Sequence, residues 1–185
     1  MRMIVLLLAP VVFALAGCPS GDPPQPVVGS PTPPAEPPID LPELFINEFM
    51  ASNEYAHATG VGVFPDWVEL YNPGAEPVDL LDLSITDDLE TPDKHVFTES
   101  LEIPPQGFLL LIASAPEGDL SPETLPFKLS SGGEELGLFH SSGLPLDQLS
   151  FGVQETDISA ARSTDGGGEW VYVPNGTPGE SNERP

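Results

Sequence analysis

The chain has 185 residues and carries 29 Asp and Glu against 5 Lys and Arg, a formal net charge of −24. Nucleic-acid backbones demand cationic contacts, so this balance excludes nucleic acid as a partner and disfavours anionic membrane surfaces. A single cysteine, Cys18, excludes an internal disulfide, and the acid excess reads as a device for solubility outside the cell.

In chain order, the first element is an apolar run over 3–17, MIVLLLAPVVFALAG, behind the lone Arg2. It contains no acid and is shorter than the roughly 20 residues a membrane-spanning helix needs. A basic start, a short apolar core and small residues at its end mark a secretory signal peptide. Its end and the next residue, Leu15-Ala16-Gly17-Cys18, resemble the lipobox of bacterial lipoproteins. The resemblance implies cleavage before Cys18 and a diacylglycerol on its sulfur, hence attachment to the cell membrane or the outer membrane. Pro19 stands where an Asp would retain such a protein at the inner membrane, which favours the outer one. The expected segments are a signal peptide over 1–17 and a linker over 18–42 that begins with the lipidated cysteine. The linker is rich in Pro with Gly and Ser, so it buries too little surface to offset its ordering entropy and is expected to be disordered. At about 3.1 Å per residue, a polyproline-like tether of this length reaches on the order of 70 Å.

From 43 to 183 the pattern changes to short apolar stretches between turn residues. In LFINEFM, strict alternation puts Phe45, Asn47 and Phe49 on one face and Ile46, Glu48 and Met50 on the other. DWVELYN sets Val68 and Leu70 against Trp67, Glu69 and Tyr71, and Pro73-Gly74 then signals a turn. VDLLDLSITDD supplies a short strand or two. The continuous apolar run 108–113 reads as a central strand buried on both sides. PFKLSSGGEELGLF reads as two strands around Gly132-Gly133, and LDQLSFG and EWVYVPN as two more. No helical period persists over eleven residues. The expected fold is an all-β, immunoglobulin-like β-sandwich, with Val68, Leu70, Leu109, Leu111, Leu136 and Leu138 facing a shared core.

Five stretches in order, DWVELYNPGAEPVDLLDLSITDD, LEIPPQGFLLLIAS, FKLSSGGEELGLFHSSGLPLDQLSFG, ARSTDGGGEWVYVPN and GTPGESN, resemble the lamin-tail domain of bacterial surface proteins. The resemblance spans about 44–182 and implies an immunoglobulin-like sandwich that binds or positions something without catalysis. Two departures stand out. Asp82-Leu83 replaces a frequent Gly-Trp, which implies a smaller core side chain. Ala161-Arg162-Ser163-Thr164-Asp165-Gly166 lacks the first Gly and the Pro of the family's closing turn, which implies a looser turn.

No zinc-protease helix, phosphate loop or nucleophile elbow is present in the sequence, and the chain reads as no enzyme. His57, His95 and His140 are far apart, and His140-Ser141-Ser142-Gly143 reads as a turn. Asp87, Asp88, Glu90 and Asp93 form the densest acidic loop and are the candidate ligands for Ca²⁺, the one candidate cofactor, although the spacing lacks the EF-hand glycine. Trp67, Tyr71, Trp170 and Tyr172 are the candidate aromatics of a binding surface. Glu48, Asp66 and Glu69 read as edge or solvent-face acids. Arg162 reads as a structural ion-pair partner, and Asn175-Gly176-Thr177 as a turn. The expectation is a lipid-anchored envelope protein whose partner is an envelope protein or polysaccharide. The alternatives are a calcium- or carbohydrate-binding module and an accessory domain to an envelope hydrolase.

Overall fold

The computed structural model describes residues 40–60, 62–114 and 121–183. The signal-peptide, lipidation and linker expectations, Cys18 included, fall outside the described residues. Among those described there are twelve strands and no helix. They are β1 (Phe45–Met50), β2 (Asp66–Tyr71), β3 (Val78–Asp79), β4 (Ser84–Thr86), β5 (His95–Val96), β6 (Glu102–Ile103), β7 (Phe108–Ala113), β8 (Thr124–Leu125), β9 (Glu134–Phe139), β10 (Pro145–Phe151), β11 (Ile158–Thr164) and β12 (Gly167–Pro174).

A six-stranded sheet in the order β12-β11-β1-β2-β7-β8 faces a four-stranded sheet in the order β10-β9-β4-β5, and β3 pairs with β6 separately. All pairings are antiparallel except that of β7 with β8. The core lies between the two main sheets, as expected of an immunoglobulin-like sandwich. Val68, Leu70, Leu111, Leu136 and Leu138 are all fully buried in it, while Leu109 is half-buried against its margin. Leu83 fills the place of the family's tryptophan and is also buried. Asp82 has a φ of 65°, the left-handed conformation that a glycine adopts freely.

Three local expectations need correction. Strict alternation fails in β1, because a β-bulge at Asn47 places Ile46 opposite Leu70 but Glu48 opposite Glu69. Ile46 and Phe49 therefore share the core face, and Glu48 and Met50 the outer one. The run 108–113 is not buried on both sides: Leu111 and Ala113 are buried, but Phe108, Leu110 and Ile112 are only half-covered. The stretch after Pro126 is no strand, although Phe127 and Leu129 are buried. β8 stops at Leu125, since Pro126 has no N–H with which to continue a ladder.

The two sheets are pinned together at one side by Arg162 of β11. Its Nη2 donates to both oxygens of Asp147 on β10, at 3.1 and 2.8 Å, and its Nε donates to the Ile46 carbonyl at 2.9 Å. Asp147 also accepts the Ile46 N–H at 2.9 Å. The guanidinium lies against the rings of Phe45 and Trp170, 5.6 and 4.9 Å from their centroids. Arg162 is the ion-pair partner that its rarity in an acidic chain implied.

Candidate functional site

The outer face of β1 and β2 carries the most unusual chemistry in the domain. The register of the two strands sets Glu48 directly opposite Glu69, and neither is exposed at all. Like charges directly opposite each other destabilise a sheet, and a buried carboxylate needs hydrogen-bond donors. Residues 175–183, which follow β12, supply them. The Thr177 amide donates to Glu48 Oε1 and Oε2 at 3.1 and 3.0 Å, and the Gly179 amide donates to Glu69 Oε2 at 2.6 Å. The Ser159 hydroxyl of β11 donates to Glu48 Oε1.

The bulged Asn47 is the hinge of this arrangement. Its Nδ2 donates to Glu69 Oε1 and to Asp165 Oδ1, both at 3.1 Å, and its Oδ1 accepts the Gly166 N–H at 3.0 Å. Asp165 also accepts the Asn182 N–H at 3.0 Å and the Ser181 hydroxyl. The β11–β12 turn is thus held by its acid on both sides, which corrects the expectation of a looser turn. Gly176 crosses directly over the strands with a φ of 67°. A Cβ there would come within 2.9 Å of the Trp67 ring and 3.0 Å of Glu48 Oε1. The Asn175-Gly176-Thr177 turn is therefore a close approach of backbone to sheet.

Burial pushes the Glu69 carboxyl up to about 8, and the charges of Glu48 and Asp165 push the same way. The amide of Gly179 and the side chain of Asn47 pull against that rise without cancelling it. Such a shift is a mark of catalytic sites, but it also arises in closed structural networks. Two observations fit a structural network. All four carboxylate oxygens accept hydrogen bonds, and the surface depression of about 530 Å³ beside Ala56, His57 and Thr177 is lined by neither Glu48 nor Glu69. The arrangement can store one proton between two strands and clamp a segment of backbone. Sequence reading missed it by placing both acids in solvent. The available signal was a lone Glu within the apolar run of each of two adjacent strands, followed by Phe49 in one and set between Val68 and Leu70 in the other.

Two of the four acids of the candidate calcium loop, Asp87 and Asp88, have other engagements. Asp87 is ion-paired with Lys94. Asp88 closes its own turn, accepting the Glu90 N–H at 3.0 Å and the Thr91 hydroxyl at 3.1 Å. Among the described residues, no group of three or more His, Cys, Asp and Glu side chains is placed to hold a metal ion. The histidines are likewise not gathered: His95 packs edge-on against Phe97, and the His140 ring lies 2.9 Å from the Ser142 hydroxyl within its turn.

The four candidate aromatics do not form one platform. Trp67 is fully buried under Gly176 on the outer face, and Tyr71 stacks on Phe108 with centroids 4.9 Å apart. Trp170 and Tyr172 belong to the opposite face of the sheet, where Trp170 meets Phe49 edge-on at 5.6 Å. Of the four, Tyr172 alone is widely exposed, at 66%.

Taken together, two facing sheets and a polar network closed over the outer face of one of them define an immunoglobulin-like β-sandwich module. A family model described as Lamin Tail Domain matches residues 38–152. The chain belongs to the lamin tail domain family. No curated protein matches it.

Proposed function

We propose that the protein is a non-catalytic module of the cell envelope, held to the membrane by a lipid on Cys18 and presenting its lamin tail domain as a binding or structural body. The observation that carries the anchor is the run Leu15-Ala16-Gly17-Cys18, where the chain's single thiol follows small residues at the end of an apolar stretch. A thiolate is a good nucleophile for thioether formation, and small residues let the peptide enter a processing site. The acidic domain has no electrostatic reason to stay at an anionic surface, so attachment falls to the acyl chains. One chain binds only marginally and two or more anchor stably, at about 0.8 kcal/mol per buried CH₂. The Pro-rich stretch then sets the domain at a distance from the lipid.

Mass spectrometry of the mature N-terminus tests this reading. A diacylated cysteine at position 18 is the expected species, and it partitions with membranes on fractionation. Cys18→Ser leaves an uncleaved precursor or a soluble product, with the melting of the domain unchanged. An unmodified cysteine, or cleavage at another residue, refutes the anchor.

A further inference from the structure

Every open sheet ends in two edge strands, and exposed edges invite pairing with another chain. The edges of the two main sheets are β12 and β8 in the large one and β10 and β5 in the smaller one. Three of them are blunted. β5 and β8 are two residues long. β10 begins at Pro145, is bulged between Pro145 and Asp147, and turns Asp147 inward onto Arg162. β12 has none of these protections over most of its eight residues. Its Trp170-Val171-Tyr172-Val173 is a run of strong strand formers with no lysine, and its proline comes last. No strand among the described residues pairs along its outer side.

Next to this edge the sandwich has a gap. Val153, Glu155, Ile158, Tyr172 and Pro174 line a depression of about 390 Å³. Val153 is 76% exposed and Tyr172 66%. The walls are apolar and the rim carries one carboxylate. That combination suits a side chain with a long aliphatic stem and a cationic head: the stem lies along Val153 and Ile158, and the head meets Glu155 and the Tyr172 ring.

We infer that β12 is a docking edge for an extended basic peptide segment, which adds as a further strand and lays a Lys or Arg into the depression beside Tyr172. Charge selects this occupant over a second copy of the chain. Each copy carries a formal −24, so edge-to-edge pairing of two copies sets like charge against like. Two of the three described cations, Lys94 and Arg162, are already ion-paired within the domain. Backbone pairing supplies affinity in strand addition, and alternate side chains supply specificity. A strand on β12 turns every second side chain toward Tyr172 and the others toward the side of Val171 and Val173. The inference rests on reading the domain as a binding module and is independent of the lipid.

The test is titration of the full chain with an end-capped Lys-Val octapeptide of alternating sequence, read by fluorescence anisotropy at low salt. Saturable binding is expected, weakened tenfold or more by Glu155→Lys and by Tyr172→Ala. Methylating alternate peptide amides, which removes the strand donors but keeps the charge, should abolish it. Equal binding of the methylated peptide reduces the effect to general attraction by an acidic surface and overturns the proposal. So does equal binding of a Glu-Val octapeptide, or no binding at all. A dimer in sedimentation that Tyr172→Ala dissociates assigns the edge to a second copy instead and overturns it as well. No membrane enters the assay, so its failure leaves the anchor to be judged on the mature N-terminus alone.

Discussion

Replacing Glu69 by glutamine should reverse the effect of alkali on the domain. The Glu69 carboxyl titrates near 8 in the fold against an ordinary value of 4.5. Between those two values the folded state binds a proton that the unfolded chain has released, so stability falls as pH rises through that window. At about 1.4 kcal/mol per pH unit, the gap of roughly 3.5 units corresponds to about 5 kcal/mol. That is a large share of the 5–15 kcal/mol typical of a domain. Release of residues 176–179 from the carboxylates would hydrate them and limit the loss. Glutamine is of the same size and stays neutral. Its amide N–H₂ opposes the Nδ2 of Asn47 or the N–H of Gly179, so one contact is lost at a cost of about 1 kcal/mol. Glu69→Gln should therefore be slightly less stable than the parent at pH 5 and more stable at pH 9. Urea unfolding from pH 5 to 9, followed by the fluorescence of Trp67 and Trp170, reads both curves. Burial also raises Asp66 and Glu134, and overall charge repulsion grows with pH, but these act alike in parent and variant. Parallel curves that never cross would refute the assignment of a shared proton to this pair.

Other substitutions probe the sandwich itself. Leu70→Ala and Leu138→Ala remove fully buried side chains from opposite sheets, and each should cost about 2–5 kcal/mol in urea unfolding. Arg162→Ala leaves Asp147 uncompensated between the sheets and should cost about 3–5 kcal/mol, while Arg162→Lys, lacking the fork, should recover only part of it in the same measurement. Asp82→Gly should raise stability by up to about 1 kcal/mol, because it relieves a left-handed backbone without removing any described side-chain contact. Asp82→Val should lower it, and equal melting of the two variants would show that the strain is absent.

The sequence made the sandwich legible where the pattern of a strand is regular. DWVELY alternates with period two, and β2 follows it residue for residue. LFINEFM looks equally regular, but the extra residue at Asn47 resets the faces, and no composition signal marks a bulge whose side chain is tied to Glu69 and Asp165. The two-residue strands β5, β6 and β8 are too short to show a period. The aromatics of β2 and β12 were visible as residues, but which of them stay in water depends on what crosses above. Gly176 buries Trp67, whereas the smaller sheet does not extend over Tyr172. Glu48 and Glu69 were hidden for the same reason. A glutamate is assigned to solvent by default, and the donors that permit its burial come from residues more than a hundred positions away.

The place of β1 has a consequence for how the chain is made. It is the first of the described strands in chain order, yet it lies in the middle of the large sheet, with Glu48 opposite Ala161 on one side. β2 can pair with it early. Until β11 is synthesised its other side stays open, and until residues 176–179 follow, Glu48 and Glu69 remain in water as charged groups. Contacts so distant in sequence are slow to form. Without residues 175–183 the outer face is incomplete and leaves two glutamates side by side without their backbone donors. Docking of residues 176–179 converts that repelling pair into the clamp, so the arrival of this segment, not the formation of the first hairpin, completes the outer face.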